Sequence, residues 1–331
     1  MKRASPRVKK SNFGEAEAVR LLLSRFKTQK SSAVSLGIGD DAAVLTLPDG
    51  KLVVTVDACL EGAHFERHWL ALSEVGWKAF HSAASDLAAM GARPVAALSS
   101  LELPPGFAAR ELDELSLGQA AAARVLRCPI VGGNLARGSR LGVTTTVFGV
   151  AQKPLRREGA RRGDELWLVG EVGLARAGLE LLRRQRVPKT LGSRQAEGCL
   201  RAFRQPVAMI DAGAKLVGRA TAMLDVSDGL AIDAGRLGEA SGVRCIFEEA
   251  SLRAALAPDL QDAATALSID ILELALHGGE DYALLAAGPA KKRPQWARRI
   301  GRVERGEGVY LESSRGKKRE LDGGFDHLLR R

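Results

Sequence analysis

From Gly14 onward apolar residues recur at helical spacing and place Val19, Leu22, Leu23 and Phe26 on one face. A glycine-marked turn, Gly37-Ile38-Gly39, introduces Asp40 and Asp41 and an apolar run from Ala42 to Leu47. Asp49-Gly50 is a hairpin signal, so that run is expected to pair with a strand over Leu52–Val56 that ends at Asp57. Ser73 can cap a helix reaching about Met90, with Gly91 as its stop and Pro94 beyond. A strand over Val95–Glu102 then ends at Pro104-Pro105, and the alanine-rich stretch Ala108–Leu126 reads as a helix. A short strand runs into Gly132-Gly133-Asn134, and the β-branched stretch Val143–Val150 makes another.

The polar, basic and turn-rich segment 151–163 marks a domain boundary. Beyond it the pattern predicts a strand over Glu165–Val169, a helix over Leu174–Arg184 and an irregular basic connection over 186–205. Helices follow over Ala208–Val217 and Ile232–Ala240, with strands over Thr221–Asp225, Val243–Glu248 and Tyr282–Ala287. Mixed strands and helices with hairpin signals predict an α+β fold rather than a uniform parallel sheet. The expected organisation is a basic tail over 1–12, an N-terminal domain over 13–150 and a C-terminal domain over 151–331.

Composition sharpens this picture. The 331 residues are 46% apolar, enough for two cores, and carry a formal charge of +10. Such a charge invites a nucleic-acid partner. Residues 1–30 and 291–331 together carry +14, however, which leaves the middle at −4. The basic ends read as solvated tails, and with only two tyrosines no aromatic platform for bases is expected. Four scattered cysteines form no CxxC pair, and no apolar run reaches membrane-spanning length. A cytoplasmic protein with no membrane or nucleic-acid partner is expected.

The informative chemistry is a set of carboxylates at glycine-marked turns: Asp40, Asp41, Asp57, Asp86, Asp225 and Asp228 in DVSDG, and Glu280 and Asp281 in GGEDY. Mg²⁺ takes hard oxygen ligands and keeps substrate phosphates in its shell, so convergent carboxylates suit a Mg–nucleotide site. Any one of them can instead cap a turn or helix, as Asp228 would cap the helix containing Ile232. Around Ser227 and Asp228, exposed backbone N–H groups at a helix start would favour a phosphate. No P-loop and no GxGxxG after a strand is present, and Glu66 stands at the wrong offset for His64 and His68 to form a zinc-protease helix.

Taken in order, GIGDDAAVL, VTVDACLEGAHF, SDLAAMGARP, GGN, DVSDGL and GGEDYALL resemble the thiamine-monophosphate kinase family, within the aminoimidazole ribonucleotide synthetase superfamily. The resemblance spans Phe13 to Phe325. It implies a two-domain protein that dimerises through its N-terminal sheet, with ATP and thiamine monophosphate as substrates and Mg²⁺ as cofactor. It also implies residue roles. Asp41, Thr55, Val56, Asp57, Asp86, Asp225 and Asp228 match metal-binding positions, the last two being central to catalysis. Gly133, Arg157 and Ser227 match nucleotide contacts; His64, Glu280 and Phe325 match substrate contacts. One departure stands out: Asn134 replaces the family's Asp after the paired glycines, keeping an oxygen ligand and dropping a charge. Another ATP-dependent enzyme of the superfamily, or a weak nucleotide- or thiamine-phosphate-binding paralogue, is the alternative.

Overall fold

The computed structural model describes residues 14–26, 31–37, 42–47 and 49–321. They divide into two compact units, one from residues up to Ala83 with Pro94–Val150, the other from Ala84–Arg93 with residues from Ala151 onward. The fold class is α+β, as the mixed pattern predicts.

The first unit opens with α1 (Glu15–Phe26) and a two-stranded antiparallel sheet of β1 (Val34–Leu36) and β2 (Val44–Leu45). Next come β3 (Lys51–Leu60), α2 (Leu72–Ala89), β4 (Arg93–Leu103), α3 (Ala109–Val125), β5 (Ile130–Arg137) and β6 (Gly142–Ala151). Their strands form a four-stranded sheet in the order β3-β6-β4-β5, with β4 and β5 parallel. α2 and α3 approach closely because glycine stands at the contact. A Cβ on Gly76 would lie 2.2 Å from the Leu115 carbonyl oxygen, and one on Gly118 would lie 1.9 Å from that of Ser73.

In the second unit the chain runs β7 (Glu165–Val169), α4 (Leu174–Arg184), α5 (Ser193–Arg204), α6 (Ile210–Leu216), β8 (Ala222–Val226) and α7 (Leu230–Ser241). It continues through β9 (Arg244–Glu248), α8 (Glu249–Ala255), α9 (Pro258–Leu267), α10 (Ile271–His277) and β10 (Ala283–Gly288). β11 (Arg298–Glu304), β12 (Val309–Glu312) and β13 (Lys318–Glu320) complete it. The seven strands order as β13-β12-β9-β11-β7-β10-β8, leaving β8 at an edge. Side chains alternate across this sheet. Leu166, Leu168, Leu224 and Leu285 pack with α4, α7, α9 and α10, while Trp167, Val169, Met223 and Leu284 pack with Leu216 and with Ala88 and Ala89 at the end of α2.

Four expectations change. The run 42–47 does not pair with the strand after Asp49-Gly50; its β2 pairs back onto β1, while β3 lies beside β6 in the larger sheet. β3 does not stop at Asp57 but runs on through Ala58, Cys59 and Leu60, because buried Cys59 continues the inward alternation of Val53. Ser73 lies inside α2 rather than capping it, and the Ala71 N–H donates instead to the Glu74 carboxylate at 2.9 Å. The supposed irregular connection contains α5. Ala196, Cys199 and Phe203 are buried at helical spacing there, a face disguised by Arg194, Arg201 and Arg204.

The far end of the second sheet carries a charge ladder. Glu248 accepts two bonds from the Arg299 guanidinium, at 2.6 and 2.5 Å, and Arg302 joins Glu248 to Glu312 at 3.1 and 2.6 Å. The Arg299 hydrogen bonds, with Arg302 assisting, pull the Glu248 acid down to about 2 from its ordinary 4.5. A depressed carboxylate stabilises the fold above the unfolded value and loses that contribution as pH falls towards the folded one. Denaturant midpoints should therefore drop between pH 4.5 and 2. Glu248→Gln should flatten that drop; an unchanged acid slope would remove Glu248 from it.

Candidate functional site

Strand β8 delivers the central carboxylate. Its five residues are all buried, and Asp225 is 7% exposed. Alternation sets Asp225 on the same face as Met223, towards the final turns of α2. There the Ser85 hydroxyl donates to Asp225 Oδ2 at 2.7 Å. Burial first, and the negative charge of Asp86 second, push the Asp225 acid up to about 7, against the opposite pull of Ser85. The end of α2 is held by close backbone contact: a Cβ on Gly213 of α6 would lie 2.0 Å from the Ala88 carbonyl oxygen. Gly91, at a φ of +63°, then turns the chain out of the helix.

After Val226 the chain bends through Ser227 and Asp228 into α7, whose N-cap is Gly229 with no side-chain bond. Asp228 is therefore not the cap expected from the sequence. Nor are the loop's N–H groups exposed for a phosphate: those of Ser227 and Asp228 both donate to Asp233 Oδ2, at 3.0 Å each. Sequence reasoning missed Asp233, although an Asp in the first turn of a helix just after such a loop is a usable signal.

The GGEDY turn folds directly onto this loop. The Glu280 N–H donates to the Ser227 carbonyl at 2.7 Å and the Tyr282 N–H to that of Val226 at 2.8 Å. Both residues hold left-handed backbone, with φ of 62° and 51°, a strained conformation for non-glycine residues of the kind functional sites retain. The Tyr282 hydroxyl donates to Glu280 Oε2 at 3.1 Å. Asp281 is structural. It accepts from the Gly173 and Ala175 N–H groups, at 2.8 and 3.2 Å, and so ties off the start of α4. Burial pushes its acid up to about 7 despite those donors. A cleft of about 230 Å³ lies against this turn, lined in part by Glu171, Leu174, Arg201, Met209 and Tyr282.

Asp86, Asp225, Ser227, Asp228 and Glu280 are thus assembled within the second unit. Arg157 is exposed there, and its carbonyl accepts from the Ser241 hydroxyl at 3.0 Å. In the first unit Thr55 and Asp57 are half-buried on β3 while Val56 points outward, 62% exposed. His64 Nδ1 accepts the Leu60 N–H at 3.1 Å, which leaves the proton of the neutral ring on Nε2. Gly133 pairs in register with Ser99 and exposed Asn134 with Ser100. A Cβ on Gly133 would lie 1.8 Å from the Ser99 carbonyl oxygen, so strand packing alone already demands glycine. Asp40, Asp41 and Phe325 lie outside the described residues.

The residues fit a magnesium ion in one respect. Half-buried Asp86 and buried Asp225 repel one another, and a divalent cation relieves such repulsion. Among the described residues no group of three or more His, Cys, Asp or Glu side chains is gathered to hold a metal. Phosphate or water oxygens would complete the shell, as is usual for Mg²⁺.

Comparison with known proteins accords with this geometry. Residues 39–151 match the family described as AIR synthase related protein, N-terminal domain, which sets the class of the first half. The thiamine-monophosphate kinase of Aquifex aeolicus (strain VF5) is 35% identical over 299 residues, covering 89% of this chain and 94% of that protein. That of Mycobacterium tuberculosis (strain CDC 1551 / Oshkosh) is 37% identical over 290 residues, covering 83% and 81%. The solved structure of AaThiL complexed with AMPPCP and TMP superposes with a TM-score of 0.78 at 34% identity, over 95% of this chain and 97% of that one. The chain belongs to the thiamine-monophosphate kinase family.

Ser85 bonds a carboxylate that is charged only above its raised pKa. At about pH 8, Ser85→Ala should lower stability to denaturant by about 1–3 kcal/mol, the cost of losing a bond to a buried charge. At about pH 5 the loss should be smaller. Equal losses at both values would show that the hydroxyl does not serve the ionised form.

Proposed function

We propose that this protein transfers the γ-phosphoryl group of ATP directly to the phosphate of thiamine monophosphate, giving thiamine diphosphate and ADP. The observation that carries the reading is its likeness, over nearly the full length of both chains, to a relative solved with AMPPCP, an ATP analogue, and TMP. The acceptor phosphate oxygen attacks the γ-phosphorus while the bond to the β–γ bridging oxygen breaks. A phosphate monoester with a second pKa near ~6 is mostly dianionic at pH 7, so the acceptor needs no strong base. The charge on two polyanions is the obstacle, and magnesium, once bound, screens it. Within this reading Asp41, Thr55, Val56, Asp57, Asp86, Asn134, Asp225 and Asp228 are the metal-binding residues. Gly133, Arg157 and Ser227 contact nucleotide, and His64, Glu280 and Phe325 contact the acceptor. The strained turn supports the role of Glu280, since the Tyr282 hydroxyl holds its carboxylate in one orientation.

A homodimer belongs to the same proposal. Leu52, Val54, Val56 and Leu60 are all exposed on alternate positions of β3, a row that a second copy of the sheet would cover. Four free cysteines, all buried, agree with a reducing compartment such as the cytoplasm.

Pure protein given Mg-ATP and thiamine monophosphate should form thiamine diphosphate and ADP; tight binding without turnover would instead define a binding paralogue. Asp225→Ala and Asp228→Ala should each abolish turnover while the far-UV spectrum persists, and an unchanged rate in either would remove that residue from the site. Asn134→Asp should stay active and need less Mg²⁺; a higher requirement would take Asn134 out of the metal shell. Val54→Asp should shift the protein to monomer by light scattering, and a persistent dimer would place the interface elsewhere.

A further inference from the structure

Two side chains outside the assigned set converge on the Ser227–Asp228 loop. Asp233, only 1% exposed, uses Oδ2 to accept both loop N–H groups and Oδ1 to accept Arg236 Nη1 at 2.6 Å. The same Arg236 nitrogen reaches Asp228 Oδ2 at 2.5 Å. The loop backbone and the Asp228 side chain are therefore tied to one buried carboxylate, the first directly and the second through Arg236.

We propose that Asp233 and Arg236 are positioning residues that preset Asp228 for a divalent cation. The chemistry is that of an outer ligand shell. A carboxylate free to rotate must be ordered when it binds a metal, whereas one already held through one oxygen presents the other at no such entropic cost. Arg236 also offsets part of the charge that Asp225, Asp228 and Asp233 would otherwise bring together. Because both loop N–H groups are taken by Asp233, the loop serves a cation through Asp228 rather than an anion through its backbone. This rests on the reading of Asp225 and Asp228 as metal-binding residues.

Mn²⁺ titration calorimetry without nucleotide tests it directly, on wild type, Asp225→Ala, Asp233→Asn and Arg236→Gln. Far-UV circular dichroism should confirm that each variant is folded. Asp233→Asn keeps the size of the native side chain, and Arg236→Gln keeps a shorter polar one, so both are conservative probes of the contact. The expected result is a loss of Mn²⁺ affinity of about tenfold or more in both, the range for outer-shell partners. In turnover the Mg²⁺ requirement should rise by a similar factor while KM for thiamine monophosphate holds. Arg236→Gln is the sharper arm, because charge alone has the opposite sign: deleting a cation beside carboxylates would tighten metal binding. Wild-type or tighter Mn²⁺ binding in folded Arg236→Gln would overturn the proposal. Wild-type affinity in Asp225→Ala would instead overturn the metal reading beneath it.

Discussion

A carboxylate buried near the end of an otherwise apolar edge strand constrains everything around it in the second unit. A one-residue slip of β8 would carry Asp225 to the opposite face, among the apolar side chains of α7, α9 and α10, and would move Leu224 and Val226 to the side of Met223. The pairing of β8 with β10 prevents it, setting Leu284 opposite Asp225 and Ala283 opposite Val226. The fold therefore keeps an acid largely out of water, beside a second acid, with a serine hydroxyl to moderate the cost. Such a pair is poorly matched as it stands and well matched to a cation.

The neighbouring motifs follow from that constraint. GGEDY lies where it does because its backbone donates to the carbonyls of Val226 and Ser227, the residues just past Asp225. Its three polar side chains have separate roles. Asp281 ties off α4, Tyr282 steadies Glu280, and Glu280 is left as the group proposed to meet substrate. On the other side of the loop, Asp233 and Arg236 restrain Asp228 from within α7. Two strained residues, a filled N–H pair and a bridging arginine make this a region with little conformational freedom. Pre-organisation of that kind suits a phosphoryl transfer whose difficulty is electrostatic and geometric.

Much of the molecule was legible from residue pattern. The α+β class, α2 with its Gly91 stop, α3, β4, β6 and β8 all follow from local periodicity and breakers, which are short-range properties. The carboxylate motifs stand out too, because Asp and Glu among glycines are conspicuous in the chain. Less was visible where local signals compete. The arginines of α5 hid its apolar face, and the Asp49-Gly50 turn signalled a pairing that β1 captured instead.

Residue order alone was enough to single out the carboxylates proposed to bear the chemistry and to show that the strongly basic ends flank a slightly acidic middle. It could not say which carboxylates hold the fold together. Asp228 read as a helix cap and is an arginine-held side chain; Asp281 read as a candidate ligand and caps α4; Asp233 drew no notice and organises the loop. Those roles depend on which N–H groups and cations the folded chain brings within about 3 Å, since hydrogen bonds and ion pairs act over that range and are blind to separation along the sequence. Ser85 and Asp225 are 140 residues apart and touch.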